Sequence, residues 1–274
     1  MTKNPYEYLY IYYFEGSPDP DTVLAALPGY LGTWEDDGVS FLFFSQPCRR
    51  DIDRIAQKSR HARLVDVYEM TGEQWHGDKI EPYTIETLNI CPPWQRCGRE
   101  AMDQKQVVLD PGVVFGTGRH QTTEDCLFLI HRLCTRESFS TMLDIGTGTG
   151  LLSLGAAALG CRRVLACDFN YLAVKTALNN IRLNRFENRV LAFQARGEEI
   201  VSLDADLLVA NIHYDVMQHI VDSPGLYGKK WIILSGLLNS EAKRVVDTLR
   251  ARHFHIAERR CPDGVWNTIL ATPG

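Results

Sequence analysis

The chain has 274 residues, more than one ordinary domain and enough for two, and its 45% hydrophobic and 23% charged residues match a soluble globular protein. A chain of this size buries a core without disulfides or metal. A formal net charge of −5 and a pI near 5.9 argue against general affinity for nucleic acid, which needs a basic footprint.

No stretch approaches the roughly 18 apolar residues of a membrane helix. The first apolar run, Tyr8 to Phe14, is short and lacks the basic leader of a signal peptide, so a cytoplasmic location is expected. Of the 8 cysteines, Cys91 and Cys97 are spaced too widely for a zinc clip and no second pair follows. Cys126, Cys134 and Cys167 fall at apolar positions of helices or strands. Reduced, buried thiols and no metal site are therefore expected.

In chain order, Tyr8 to Phe14 reads as a strand. Ser17-Pro18-Asp19-Pro20-Asp21 starts a helix over Thr22 to Leu27, which Pro28-Gly29 stops. Strands near Gly32 to Glu35 and Val39 to Phe44 flank the turn Asp36-Asp37-Gly38. A helix over Asp51 to Arg60 and a strand over Leu64 to Met70 complete a β-α-β-β-α-β order, the ferredoxin-like arrangement. Residues 1–72 are thus expected to form a small α+β domain without obvious chemistry, suited to substrate recognition. Residues 73–106 read as a linker with one extended piece from Thr84 to Ile90.

From Thr123 the rhythm changes to alternating strands and helices. Strands fall at Thr141 to Ile145, Arg163 to Cys167, Val190 to Gln194, Asp206 to Asn211 and Trp231 to Leu234. Helices fall at Leu151 to Leu159, Leu172 to Leu183, Val216 to Val221 and Glu241 to His253. The fold class is α/β, with a Rossmann-like, mostly parallel sheet covered by helices on both faces. The last two strands, His255 to Arg260 and Trp266 to Ala271, join across Pro262-Asp263-Gly264 without a helix. This C-terminal hairpin inserts an antiparallel strand.

Asp144-Ile145-Gly146-Thr147-Gly148-Thr149-Gly150 sits where the first strand of that sheet meets its helix. Glycines there permit a tight turn and close approach of a ligand to the backbone. A dinucleotide fingerprint needs glycine where this chain has Leu151, and no G-K-[ST] follows for a P-loop. The pattern suits a nucleoside without pyrophosphate. Asp168 ends the next strand, where a carboxylate accepts both ribose hydroxyls; the plainer alternative is a cap for the following helix. Asp144 either orders the glycine loop or faces the ligand's amino-acid end.

The run Asp110-Pro111-Gly112-Val113-Val114-Phe115-Gly116-Thr117-Gly118-Arg119-His120-Gln121-Thr122-Thr123 concentrates glycine, hydroxyls and a histidine before a helix. A Thr-Thr helix cap accounts for only its end. The whole run resembles the D-P-G-x-x-F-G-T-G-x-H-x-T-T motif of the PrmA family, class I methyltransferases of ribosomal protein L11. The resemblance extends over residues 107–270 through the glycine loop, Asp168, Val209-Ala210-Asn211-Ile212 and Leu234-Ser235-Gly236-Leu237-Leu238.

That resemblance implies a catalytic domain over residues 107–274 and S-adenosylmethionine as cofactor. The implied contacts are Thr123, Gly146, Asp168 and Asn211, with Gly148, Asp144 and Phe115 from the same motifs. It also implies a protein partner, a ribosomal protein, with no direct nucleic acid and no membrane. The family commonly has Thr and Pro where this chain has Arg119 and Gln121, and small or apolar residues where it has His213-Tyr214-Asp215. These departures fall on the substrate side.

Methyl transfer from a sulfonium needs no metal or covalent intermediate, only alignment and shielding. Presenting a lysine acceptor as its neutral amine at pH 7 costs about 4–5 kcal/mol, which burial and a neighbouring cation reduce. Asn211 and His120 are the candidate catalytic residues; His213 is a further candidate proton acceptor and Tyr214 a candidate channel residue. Trp75 and Trp94 read as packing anchors. The alternatives are methylation of another protein lysine, as in enzymes acting on the electron transfer flavoprotein β subunit, a small-molecule acceptor, or a non-catalytic cofactor-binding module.

Overall fold

The computed structural model describes residues 3–18, 21–95, 105–137 and 139–274. It opens with β1 (Tyr8–Glu15), α1 (Asp21–Leu24), β2 (Tyr30–Asp36), β3 (Val39–Phe44), α2 (Arg49–Lys58) and β4 (Arg63–Thr71). The strands pair in the order β2-β3-β1-β4, each neighbour antiparallel, as the ferredoxin-like order requires. Asp37 (φ 40) and Gly38 (φ 79) both turn left-handed between β2 and β3, which suits an Asp-Gly hairpin turn.

Strand alternation gives this sheet two apolar faces. Tyr12 and Phe14 join Leu42, Phe44, Ile52 and Ile55 beneath α2, whereas Leu9 and Ile11 project to the other side. There they pack with Phe43 on Val113, Val114, Leu172 and Ala173 of the following part of the chain. A face that burial against a helix alone leaves unsatisfied is thus closed by the loop that carries the D-P-G motif.

Thr71 opens α3 (Gly72–His76) with a capping box to Gln74. A small sheet of β5 (Tyr83–Ile85), β6 (Leu88–Cys91) and β7 (Lys105–Val108) follows. The extended piece read from the sequence is here a hairpin, turned at Glu86 with a φ of 52°. No glycine or asparagine announces that turn. Leu88, Ile90 and Val107 are fully buried with Leu127, Leu151 and Leu154, so this segment contributes to the main core. Cys91 is disulfide-bonded, against the expectation of reduced thiols, because spacing alone does not specify a covalent pairing. Cys48, Cys126, Cys134, Cys161, Cys167 and Cys261 are free thiols.

Then come α4 (Gln121–Arg136), β8 (Thr141–Ile145), α5 (Leu151–Ala158), β9 (Arg163–Asp168), α6 (Tyr171–Leu183), β10 (Val190–Gln194) and β11 (Leu207–Asn211). The chain ends with α7 (Tyr214–Asp222), β12 (Trp231–Leu238), α8 (Asn239–Ala251), β13 (Phe254–Arg260) and β14 (Trp266–Pro273). The sheet order is β10-β9-β8-β11-β12-β14-β13, and β14 alone runs antiparallel to the other strands of the sheet. One face buries α4, α5 and α6, the other α7 and α8. Strand order reverses between β8 and β11, and in sheets of this kind the ligand crevice lies at that switch point, outside the carboxyl ends of the strands, here β8, β9 and β11. Among the described residues no helix is long and apolar enough to cross a membrane.

Asn180 on α6 and Asn184, the C-cap of that helix one turn later, treat the entering chain as a strand. Asn184 accepts from Val108 N at 2.8 Å and donates to Val108 O at 2.7 Å. Asn180 accepts from Asp110 N at 2.8 Å and donates to Asp110 O at 2.8 Å and to Thr149 O at 2.9 Å. Asn180 is fully buried and joins the D-P-G segment to the glycine loop. Asn180→Ala strands three polar groups in the interior, each worth about 1–3 kcal/mol. Denaturant unfolding is expected to show a loss of about 3 kcal/mol or more, and a loss under 1 kcal/mol would contradict this assignment.

Candidate functional site

β8 delivers the chain into the glycine loop. Gly146, Gly148 and Gly150 have φ of 73°, 55° and 85°, and the amides of Gly146 and Thr147 both donate to Cys167 O at 2.9 Å. A Cβ at Gly146 would lie 2.2 Å from Ile212 Cγ2, and one at Gly148 would lie 2.5 Å from the carbonyl oxygen of Phe115. Both positions combine left-handed backbone with a close neighbour, which only glycine tolerates.

Asp168, 8% exposed at the end of β9, faces this loop. Its Oδ2 accepts from Gly148 N and its Oδ1 from Asn170 N, each at 3.0 Å. The carboxylate retains lone pairs for two further donors. Burial raises its pKa, opposed by the amide bonds from Asn170 and Gly148. Asn170 in turn caps α6, accepting from Leu172 N at 2.9 Å. The helix-capping role that the sequence leaves to Asp168 therefore belongs to Asn170.

Asp144 is wholly buried one strand away. Its Oδ2 accepts from the hydroxyls of Thr147 at 2.7 Å and Ser153 at 2.6 Å, while its Oδ1 is buried without a partner. Burial is the leading cause that pushes its carboxyl up to about 6. The pair of hydroxyls shows that Asp144 orders the glycine loop. An acceptor left buried without a partner is costly and rare in a folded interior.

The D-P-G loop closes over these groups. Tyr6 donates its hydroxyl to Asp110 Oδ1 at 2.7 Å, Trp75 Nε1 donates to Val113 O at 3.2 Å, and His76 Nε2 lies 3.2 Å from Gly112 O. Thr149 donates its hydroxyl to Gly116 O at 2.7 Å. The Phe115 ring is left 63% exposed. The two tryptophans read as anchors differ here: Trp75 bonds the loop backbone, and Trp94 packs 5.7 Å from the Tyr6 ring.

α4 begins at the same edge. Its cap is His120, whose Nδ1 lies 3.4 Å from the Thr122 amide and 2.8 Å from the Thr122 hydroxyl, in place of the Thr-Thr cap read from the sequence. Thr122 and Thr123 lie within the helix and are buried. Asn211 Nδ2 donates to Thr123 Oγ1 at 3.3 Å. In sheet register Asn211 pairs with Ser235 and Ser235 with Thr268, so α4 starts above this row of strand ends. The His120 ring meets Trp266 edge-on at 5.1 Å and Phe115 at 6.0 Å. Burial lowers its pKa against the opposing pull of Asp263, favouring the neutral ring.

The structure thus brings the candidate residues together in linked pairs: Gly148 with Asp168, Thr123 with Asn211, and His120 with Phe115. Gly146 and Asp144 lie in the same glycine loop and its supporting strand. His213 is exposed at the start of α7, and the Tyr214 ring lies 6.0 Å from the Arg244 guanidinium. Gln121 donates to Asp125 Oδ1 at 3.3 Å. Sequence reasoning missed Thr147, Ser153, Asn170, Asn180 and Trp266. Asn170, two residues before an amphipathic run, and Thr147, three residues after Asp144, carried local signals; Asn180 and Trp266 act across distances that no spacing encodes.

A family model described as ribosomal protein L11 methyltransferase (PrmA) matches residues 43–273. Ribosomal protein L11 methyltransferase from Streptococcus pyogenes serotype M12 (strain MGAS2096) is 32% identical over 75% of this chain and 66% of its own length. The namesake protein from Lactococcus lactis subsp. cremoris (strain MG1363) is 31% identical over 76% of this chain and 70% of its own length. The chain therefore spans about two thirds of the length of these relatives, slightly under that for the first. Among solved structures, a ribosomal protein L11 methylase from Lactobacillus delbrueckii subsp. bulgaricus superposes with a TM-score of 0.61 at 26% identity, covering 70% of this chain and 98% of that one. With the strand order and the glycine loop described above, these likenesses identify the chain as a member of the ribosomal protein L11 methyltransferase (PrmA) family.

Proposed function

We propose that this chain is an S-adenosylmethionine-dependent methyltransferase of protein amino groups, with ribosomal protein L11 as the acceptor to which the names of its relatives point. The observation that carries this reading is the set of groups gathered at the carboxyl ends of β8, β9 and β11. There a buried carboxylate with spare acceptor capacity, Asp168, faces a glycine loop that a side chain would block, and Asp144 holds an unpartnered oxygen. That donor and acceptor set fits an adenosyl amino acid: Asp168 for the ribose hydroxyls, Asp144 for the ammonium, Gly146 and Gly148 for close backbone approach, and Phe115, Thr123 and Asn211 around the reactive end.

When bound, S-adenosylmethionine supplies a methyl group activated by its sulfonium. The protein's task is to exclude water and orient the acceptor. The Asn211 side chain is fixed by its bond to Thr123, which leaves its carbonyl oxygen free to accept from an amine. His120 holds the start of α4, its Nδ1 at the Thr122 hydroxyl and its carbonyl oxygen accepting from Thr123 N, so it positions the residue that Asn211 bonds. The acceptor amine then loses its proton through desolvation, a cost of about 4–5 kcal/mol at pH 7 before burial. In this reading residues 1–72 recognise the acceptor, residues 73–106 join the two parts, and residues 107–274 catalyse.

The test is transfer from cofactor carrying an isotopic methyl label to purified L11 and, separately, to the remaining large-subunit proteins, with the modified residue located by mass. Label on lysine or the N-terminal amine of L11 is expected. Asn211→Ala is expected to lower kcat about 100-fold, of the order of one transition-state contact. Label on another protein alone would replace the acceptor, and no transfer to any protein would remove the proposed activity.

A further inference from the structure

The loop 115–119 is gripped from two sides. On the side of the seven-stranded sheet, Thr149 bonds Gly116 O. On the other, the hydroxyl of Tyr83 donates to Thr117 O at 2.8 Å. Tyr83 is the first residue of β5, in the small sheet and not in the sheet that carries β8, β9 and β11. Gly118, with φ of 91°, makes the approach feasible: a Cβ there would lie 1.8 Å from the Tyr83 hydroxyl oxygen and 2.5 Å from Leu151 Cδ2.

Arg119 completes the grip. Its guanidinium carbon lies 4.8 Å from the centroid of the Tyr83 ring, and its Nη2 donates to Glu81 O at 3.1 Å. Its Nε is buried without a partner, and the side chain lines a cavity of about 20 Å³ shared with Ile80, Leu109 and Pro111, room for roughly one water. An arginine so held gives up rotamer freedom in exchange for one ring and one carbonyl. Such a contact adds little to global stability, and what it does fix is the path of the chain between Phe115 and His120.

We propose that Tyr83 and Arg119 are positioning residues that clamp the loop 115–119 to the small sheet and so hold it in the conformation that receives the cofactor. The clamp rests on the cofactor assignment above. It places control of cofactor affinity partly in the segment between the two main sheets.

Arg119→Ala in the full chain is expected to raise the dissociation constant for S-adenosylmethionine 5- to 20-fold by calorimetry. At saturating cofactor, kcat and the KM for the protein acceptor are expected to stay within twofold, a split that general destabilisation would not produce. Tyr83→Phe keeps the ring and removes only the hydroxyl; a 3- to 10-fold rise is expected. The double variant should fall short of the product of the two effects, because the residues act as one unit. Without cofactor, amide exchange over 115–119 should accelerate at least tenfold in Arg119→Ala while β8 and β9 remain protected. Wild-type exchange rates in that segment overturn the clamp, as does unchanged cofactor affinity in Arg119→Ala. If the wild-type protein itself binds no S-adenosylmethionine, the cofactor assignment fails and the cofactor-setting role fails with it, while exchange still decides the clamp.

Discussion

Asp168→Ala is expected to raise the dissociation constant for S-adenosylmethionine at least 100-fold while leaving the thermal midpoint of the free protein within a few degrees. A hydrogen bond to a charged group contributes about 1.5–3 kcal/mol, and two ribose hydroxyls on one carboxylate give about 3–6 kcal/mol, or roughly 100- to 10,000-fold in affinity. The substitution also removes the acceptor for Gly148 N and Asn170 N, so the glycine loop loses its tether at the place proposed for the ligand. Stability changes less, because this carboxylate sits 8% exposed with its pKa raised by burial and so carries an unfavourable charge in the free protein. Asp168→Asn keeps one oxygen and should fall between the two. Calorimetric binding within threefold of wild type in Asp168→Ala would remove the cofactor from this crevice.

Asp144→Asn is expected to make the free protein more stable and the cofactor weaker, a combination that few substitutions produce. Burial, ahead of the opposing hydroxyls of Ser153 and Thr147, raises the Asp144 carboxyl from 3.8 to about 6. A folded pKa above the unfolded one means that the native protein binds more protons between pH 4 and pH 6. Stability contributed by this group therefore falls as pH rises through that window, the reverse of an ion-paired carboxylate. At about 1.4 kcal/mol per pH unit the gap corresponds to about 3 kcal/mol of cost, fully present above pH 6 and gone near pH 4. Denaturant titrations at pH 8 should show Asp144→Asn more stable by about 2–3 kcal/mol, with the advantage vanishing towards pH 4. Cofactor affinity should drop roughly tenfold or more, because a neutral amide no longer offers charge to an ammonium. A variant less stable than wild type at pH 8 would show that the hydroxyl bonds outweigh the buried charge.

Local chemistry made much of this protein legible. The Asp-Gly turn, the β-rich run of β1 and the βα alternation after Thr123 all act within a few residues, and each appears where its pattern places it. The absence of a helix between His255 and Ala271 suffices to predict the antiparallel final strand, because a parallel return requires a crossover. The hairpin at Glu86 escaped because its left-handed residue is a glutamate, a choice only the surrounding core can enforce.

The candidate site divides along the same line. Gly146, Gly148 and Asp168 were recognisable because the turn and the strand end that need them are local. The capping of α4 by His120, the service of Asn180 to two separate loops and the approach of Trp266 to His120 join residues far apart in the chain. What the sequence alone determined was the order of elements, the glycine turn and the acid at the end of β9, since backbone sterics and hydrophobic periodicity are short-ranged. Tertiary structure alone decided which face of the N-terminal sheet meets the loop, which carboxylate oxygen is left without a partner and which arginine lies on which ring. Those outcomes depend on burial and packing, which no run of neighbouring residues specifies.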